Sequence, residues 1–463
     1  MLRLFRQYYP IRNALFVLGE GIIIFLSVNI ACWIILGQKS LGMEFATVMK
    51  ALLITLSCQA CLYYNDLYNL KITDTLIELG IRLLQALGAA AIILAVVYFI
   101  FPTTMIHEGI FIVTIALVIL FIVSWRMAYN QVLNRGLFNQ PVIILGSSDT
   151  AMEIVKEIHR KKDSGYQIAA AISKNSQLDA SCPEEIGFIC QSSYGNICEL
   201  AEKFRAKKIV VALKEKRGAL PVKELLRCRV NGIDIIEGNT FYEMLTGKLI
   251  VEEINPAWLI FSQGFQKSRA QRFVKRTTDL ILSFSMLLVL APFILIVAIV
   301  IKLDSKGPVI FSQERVGQKH KPYMVHKFRS MRSDAEKETG PVWAKDNDDR
   351  ITRIGHFMRK WRIDEIPQLW NVLKGEMSFV GPRPERDHFV KQLTEIIPYY
   401  GERFSVKPGL TGWAQVSYGY GASVKDAIEK LNYDLFYIKN MSVLMDIMIV
   451  ARTVKTVLFG HGR

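Results

Sequence analysis

The stretch WRIDEIPQLWNVLKGEMSFVGPRPE places two adjacent carboxylates, Asp364 and Glu365, just before a proline and among basic residues. An isolated acidic pair is ordinarily a solvated surface feature. Here the surrounding cations argue otherwise. Lys327, Arg329, Arg359, Arg362 and Arg383 all lie in short polar motifs around it: KFRSM, FMRKWRIDEIPQ and SFVGPRP. Arginine forks and lysine ammonium groups suit a diphosphate. The prolines flanking Arg383 limit its backbone motion and help to aim its side chain. Pro367 suits the first turn of a helix, which sets both acids near a helix N-terminus. There the helix dipole and nearby cations keep a carboxylate ionised, as a nucleophile or a Mg²⁺ ligand requires. The chemistry implied is displacement on a phosphorylated substrate.

The elements that must position these residues begin far upstream. At 463 residues the chain is long enough for two or three domains. A hydrophobic fraction of 51% and a positive mean hydropathy point away from a purely soluble protein. A formal charge of +15 suits nucleic acid or an anionic membrane surface. Composition leaves both open; the resemblance drawn below implies inner-membrane lipid, and no nucleic acid. Four apolar segments, Ala14–Leu36, Phe45–Tyr63, Ile81–Phe101 and Ile110–Trp125, each approach the ~20 residues that cross a bilayer core as a helix. Arg3, Arg6 and Arg12 precede the first, and Arg126 and Arg135 follow the fourth. The connection Pro102–Gly109 carries no Lys or Arg. The positive-inside rule then puts both ends of a four-helix transmembrane domain, residues 1–135, in the cytoplasm. The first apolar stretch is long and lacks a small-residue cleavage site, so no cleavable signal peptide is expected. Seven cysteines form no disulfide framework. Cys58 and Cys61 stand one helical turn apart in an apolar run, and Cys182, Cys190 and Cys198 lack metal-binding spacing.

Residues 138–250 read as an α/β, Rossmann-like domain. PVIILG (141–146), YQIAAAIS (166–173), KKIVVAL (207–213) and GIDIIEG (232–238) are short apolar runs separated by helix-like segments, the pattern of a parallel, doubly wound sheet. Its first turn keeps Gly146 alone of a GxGxxG, continuing Ser147-Ser148-Asp149. Ser173 and Lys174 end the second strand where a ribose-binding acid would stand. A degenerate nucleotide fold with a structural or dimerising role is weighed against dinucleotide binding.

A basic link, Gln266–Arg276, leads into the apolar run Leu280–Ile301, about 33 Å as a straight helix. Pro292 stands at its middle, where it removes a backbone hydrogen bond and bends a helix. Lysines and arginines flank both ends. A re-entrant hairpin and a kinked transmembrane helix both fit these residues.

From Gln263 to Arg463 the chain resembles the bacterial sugar transferases, the monotopic phosphoglycosyl transferases. The likeness is most specific in the ordered set KFRSM, RIDEIPQ, SFVGPRP and PGLTGWAQV. The four apolar segments and the degenerate nucleotide fold resemble the large form of that family. The resemblance implies transfer of a sugar-1-phosphate from a UDP-sugar to undecaprenyl (polyprenyl) phosphate with release of UMP, the first membrane step of exopolysaccharide or O-antigen assembly. It implies an α/β monotopic catalytic domain, residues 263–463, on the cytoplasmic face of the bacterial inner membrane. Within it a re-entrant helix, 278–302, would break at Pro292, although Ala291 stands where family members often carry serine. It further implies Asp364 as the nucleophile that becomes phospho-aspartyl and Glu365 as the Mg²⁺ partner. Arg359 and Arg383 would contact substrate phosphate, with Lys327 and Arg329 as further substrate contacts. A homodimer is expected through the middle domain.

Competing readings leave different traces. A membrane-tethered nucleotide-sugar dehydratase or epimerase needs an intact glycine-rich turn and a Tyr-xxx-Lys on a helix. Tyr323 and Lys327 have that spacing, yet Pro322 precedes them and YMVHKF alternates like a strand. A permease would need more spanning helices, and an inactive assembly scaffold would be expected to have lost the acidic pair. The tail NYDLFYIKNMSVLMDIMIVARTVKTVLFG suits either a helix dipping into lipid headgroups or a plain core helix. None of the seven histidines forms HExxH or a metal-spaced pair.

Overall fold

Helices α1 (Ile11–Leu36), α2 (Phe45–Tyr64), α3 (Leu76–Ile100) and α4 (Ile110–Asn134) form where the apolar runs predict them. The computed structural model describes residues 2–4, 7–9, 11–37, 45–68, 75–107, 109–134, 139–160, 164–173, 188–190, 194–213, 220–254, 264–332, 349–419, 421 and 423–458. Arg6, Arg135, Lys174, Cys182 and Gln263 lie outside them. The helix α3 starts earlier than its apolar run because the Thr75 side chain caps it, accepting from Glu78 N at 3.3 Å. One apolar core joins all four helices through Ile24, Val28, Ile54, Leu62, Leu83, Leu87, Val118 and Ile122. Outward-facing residues such as Leu18, Ile22, Leu56, Leu84 and Ile112 are apolar too. A helix apolar on every side belongs in lipid or in a large core, and with the long helix described below five helices among the described residues are long and apolar enough to cross a membrane. The chain is a membrane protein. Cys58 and Cys61 are simply buried on one face of α2. Arg126, counted above among the flanking cations, is instead drawn inside. Its Nε lies 2.7 Å from Glu20 Oε1, and its Nη1 donates to Leu67 O at 2.8 Å. An arginine beside an acid in an apolar core must pair, so it says less about orientation than a loop arginine would.

The middle of the chain holds five strands: β1 (Gln140–Leu145), β2 (Tyr166–Ser173), β3 (Phe188–Cys190), β4 (Lys208–Val211) and β5 (Asp234–Glu237). They lie in the order β3-β2-β1-β4-β5. The pairs β1/β2, β1/β4 and β2/β3 are parallel. Val142, Ile143, Ile144 and Leu145 are fully buried, as a parallel strand covered on both faces requires. This is the strand order of a doubly wound sheet.

Two compact units divide the chain near Ile236 and Glu237. The second contains the helix Gly238–Thr246 and the segment after it, so residues 238–250 pack with the C-terminal part of the chain. Main-chain bonds explain why: Leu249 N donates to Asn432 O and Val251 N to Asn432 Oδ1. Lys248 pairs with Glu429 at 2.9 Å, and Trp413 Nε1 donates to Gly247 O at 2.8 Å.

The link and apolar run form one long helix, Arg269–Asp304, opened by a capping box between Ser268 and Gln271. Pro292 lies inside it without ending it, so the expected break is not an interruption of the helix. Both halves rest on the second unit. Near the start, Arg276 donates to Val372 O and Leu373 O, and the buried Asp279 accepts from Ser378 Oγ and Phe379 N. Near the end, Val297 and Ile301 pack with Phe328 and Met358. An antiparallel hairpin, β6 (Ile310–Val316) with β7 (Pro322–Phe328), follows. Farther on, β8 (Ser378–Val380) and β9 (Gly409–Thr411) pair in parallel. The tail is two helices, Val424–Asn440 and Val443–Leu458. The first is largely core, with Leu431, Leu435, Tyr437 and Ile438 buried. The second buries Met445 and Ile449 while exposing Leu444, Ile447 and Val454. The first is thus the plain core helix, and the second leaves an apolar face exposed.

Candidate active site

The acidic pair sits on a single tight turn. The helix Arg353–Lys360 ends just before Arg362, whose φ of 51° is left-handed and costly for a side chain bearing a Cβ. That reversal starts a 3₁₀ turn, Ile363–Glu365, from which the helix Gln368–Lys374 continues beyond Pro367. Asp364 and Glu365 are both 7% exposed. Two carboxylates so buried need partners or must change their protonation.

Their environments differ sharply. Glu365 Oε1 accepts from Lys327 Nζ and from Arg383 Nη2, each at 2.9 Å, while Oε2 faces Arg362 Nη1 at 3.7 Å. Burial alone would raise its pKa. Arg383, Lys327 and Arg362 outweigh that and hold the carboxyl well below the usual range. Asp364 receives no bond from these nitrogens among the described residues. Burial raises its pKa and the charge on Glu365 adds to this, against the pull of Lys327, Arg359 and Arg383. Burial also lowers the pKa of the Lys327 ammonium, with Glu365 opposing. One carboxylate is thus locked as an anion, and the other carries no hydrogen bond among the described residues.

The motifs supply these groups from separated elements. In KFRSM, alternation along the end of β7 turns Lys327 toward Glu365 and Phe328 into the apolar cluster under the long helix. Arg329 goes elsewhere. It is buried and its Nη2 donates to Ser305 O at 2.6 Å and Ser305 Oγ at 2.9 Å, closing the C-terminal end of the long helix. Ser330 Oγ accepts from Arg359 Nε at 3.0 Å, and the Arg359 charge favours the Asp364 anion. Gly355 has no room for a Cβ, because Ser330 O would lie 2.0 Å from it. Of the residues marked in the sequence, Lys327, Arg359, Arg362 and Arg383 gather about the pair, whereas Arg329 serves a helix end.

Arg383 rides on the turn after β8. Gly381 N donates to Thr411 O and Gly409 N to Pro382 O. A Cβ on Gly381 would meet Lys407 O at 2.4 Å, one on Gly409 would meet Gly381 N at 2.1 Å, and one on Gly412 would meet Gly381 O at 2.3 Å. SFVGPRP and PGLTGWAQV are thus two backbones in direct contact, and glycine is what lets them approach. Under this turn lie groups that the sequence did not single out as site residues: Arg403, Asp434, Arg315 and Tyr437. A signal existed for Asp434, an acid within the largely apolar LNYDLFYI.

A Mg²⁺ ion fits the donor set in one mode. Among the described residues no group of three or more His, Cys, Asp or Glu could enclose a metal. Mg²⁺ held by one or two carboxylates and completed by substrate phosphates needs no such cage. The Tyr323 and Lys327 pair of the dehydratase reading lies on strand β7, not on a helix.

Residues 270–460 match the bacterial sugar transferase family. Over 343 residues the chain is 38% identical to a UDP-glucose:undecaprenyl-phosphate glucose-1-phosphate transferase of Escherichia coli K12, covering 71% of this chain and 70% of the relative. A UDP-galactose-lipid carrier transferase of Erwinia amylovora is 31% identical over 73% of this chain and 72% of its own length. A UDP-N-acetylgalactosamine-undecaprenyl-phosphate N-acetylgalactosaminephosphotransferase of Aeromonas hydrophila is 41% identical over 51% of this chain. That match spans 55%, about half, of the relative's length.

Proposed function

This chain belongs to the bacterial sugar transferase family, and from that premise we propose that it transfers a sugar-1-phosphate from a UDP-sugar to undecaprenyl phosphate, releasing UMP. The single observation carrying this reading is the unequal acidic pair: an unbonded Asp364 beside a Glu365 that Lys327 and Arg383 hold ionised. An ionised Asp364 oxygen attacks the phosphorus that bears the sugar. The bond to the bridging oxygen breaks and UMP leaves with the electron pair. The phosphate oxygen of undecaprenyl phosphate then attacks the same phosphorus, restoring the free carboxylate. Taking the two substrates in turn suits a site whose donor is water-soluble and whose acceptor is lipid.

Lys327, Arg359 and Arg383 are the cations in reach to counter charge on the transferred phosphoryl group. Glu365, with the diphosphate, would hold Mg²⁺, which supplies further charge neutralisation when bound. Both flanks of the long helix rest on one soluble body, at Arg276–Asp279 and at Val297–Ile301. That supports a helix bent about Pro292 that enters and leaves the membrane on one side. The four upstream helices would then span the inner membrane as a bundle with both ends cytoplasmic. The doubly wound sheet would serve as a degenerate nucleotide fold that pairs two copies of the chain. The relatives' names cover glucose, galactose and N-acetylgalactosamine, so the sugar itself is left to experiment.

UMP release from a panel of UDP-sugars, with the product lipid resolved by thin-layer chromatography, tests the reading. UMP release and a lipid-linked sugar are expected with at least one donor, with parallel lines in initial-rate plots against both substrates. Intersecting lines would replace the covalent route with direct transfer. A complete absence of UMP release would remove the assignment.

A further inference from the structure

The turn that carries Arg383 is held carbonyl by carbonyl from five places. Val380 O accepts from Tyr437 Oη at 3.0 Å, Pro382 O from Gly409 N at 2.9 Å, and Arg383 O from Arg403 Nη2 at 3.0 Å. Pro384 O accepts from Arg315 Nη1 at 3.4 Å and Glu385 O from Val316 N at 3.0 Å. The donor on Arg383 itself is the unusual one. Arg403 has a side chain only 6% exposed, and its Nη2 is shared with Asp434 Oδ2 at 2.9 Å, whose own side chain is 2% exposed. Its Nη1 donates to Tyr400 Oη at 2.5 Å. The guanidinium plane is therefore fixed by two side chains before it reaches its third partner.

A buried ion pair is a weak source of net stability, because desolvating both charges offsets their attraction. One neutral donor would satisfy one carbonyl. What a guanidinium locked by an aspartate and a tyrosine adds is a rigid geometry, at the one residue of this turn whose side chain reaches Glu365. We propose that the Arg403–Asp434 pair is the positioning device for Arg383. It holds the main chain of that residue so that its guanidinium meets Glu365 and the transferring phosphate. The role as stated rests on the reading of Asp364 and Glu365 as the reacting centre. The main-chain restraint does not.

The test uses the full-length protein in nanodiscs, with UDP-glucose, UDP-galactose and UDP-N-acetylgalactosamine as donor probes and undecaprenyl phosphate as acceptor. Arg403→Lys and Asp434→Asn should each lower kcat by about 10- to 100-fold, the scale on which a small misplacement acts, with KM for the donor changing less than about 3-fold. In an Arg383→Ala background the same changes should cost less than about 2-fold, because their target is already gone. Losses that simply multiply, or a kcat that does not move, overturn the proposal. Tyr400→Phe is the milder variant should the other two fail to fold. It leaves the ion pair intact and should lower kcat about 3-fold, again only when Arg383 is present. Hydrogen exchange of the Gly409 and Val316 amides, which donate to Pro382 O and Glu385 O on this turn, should quicken in whichever variant folds, and unchanged exchange also overturns the proposal. That measurement needs no turnover, so it decides the restraint even if no UDP-sugar proves to be a substrate.

Discussion

Two glycine turns in this chain begin alike and end differently. Gly146 and Gly381 each follow the last residue of a buried strand in a parallel pair. Each is glycine because another backbone presses against it: a Cβ would lie 2.2 Å from Ala212 O in the first case and 2.4 Å from Lys407 O in the second. After Gly146 the side chains turn inward on the turn itself. Ser173 Oγ donates to Ser147 Oγ at 3.1 Å, and Ser148 Oγ accepts from Ala151 N at 3.2 Å. After Gly381 the turn is pinned from outside, and it sends Arg383 to a buried carboxylate. The glycine reports close backbone approach in both places. Only the second sends a charged side chain to a buried partner.

The largest expected effect separating these regions comes from the acidic pair. Asp364→Asn should abolish turnover, by at least about 10³-fold, while UDP-sugar binding measured by calorimetry largely survives. Ser147→Ala in the other turn should leave turnover within about 2-fold. Near-normal turnover in Asp364→Asn would end the covalent mechanism.

The two glycines give the next contrast. Gly146→Ala adds a Cβ at a φ of 115° and against Ala212 O, so it should lower stability by more than about 1 kcal/mol. Turnover per folded molecule should nevertheless stay near that of the unsubstituted chain. Gly381→Ala should lose turnover even in the fraction that folds, because the clash with Lys407 O moves Arg383. Thermal unfolding and specific activity, measured together, check both. Equal specific-activity losses would make the turns equivalent.

The smallest effect is a shift in pH dependence. Asp364 must be ionised to attack, and its folded-state pKa is raised, so it gains a proton earlier on acidification than an ordinary aspartate near about 3.9. Turnover should therefore fall with decreasing pH through a pKa above that value. Glu365, held below the usual range, remains charged throughout that fall. In Glu365→Gln the residual single-turnover UMP release should show its acid limb at lower pH, since one negative neighbour is gone and Lys327 and Arg383 are freed to favour the Asp364 anion. An acid limb that stays in place would assign it to another group.

The order of the motifs, the apolar lengths of the helices and the acidic pair with its surrounding cations were legible in the sequence. They depend on residue type and local spacing, which a chain carries in one dimension. Asp364 and Glu365 could be marked because an acidic pair before a proline stands out among cations. The inequality between the two acids was not legible. It arises because Lys327 arrives from β7 and Arg383 from the turn after β8, and both choose Glu365. Arg329 shows the converse. Two residues after Lys327 in the same motif, it sends Nη2 to the end of the long helix, while its buried Nε and Nη1 have no hydrogen-bond partner among the described residues. The destination of a long cation depends on which carbonyls and carboxylates the fold brings within reach, and spacing does not carry that.

Tertiary structure alone decided three further matters. Glu237, not the end of the predicted middle domain, opens the second unit, because Leu249 and Val251 bond to a helix nearly two hundred residues away. SFVGPRP and PGLTGWAQV became one structural piece, since only glycines facing glycines allow two backbones so close. Arg403, silent in the sequence, and Asp434, marked there only as an acid in an apolar run, came to lie beneath the turn that carries Arg383. Composition and periodicity state what a residue is able to do. Burial and the meeting of distant segments set the local dielectric and the available partners, and those determine which carboxylate the cations hold.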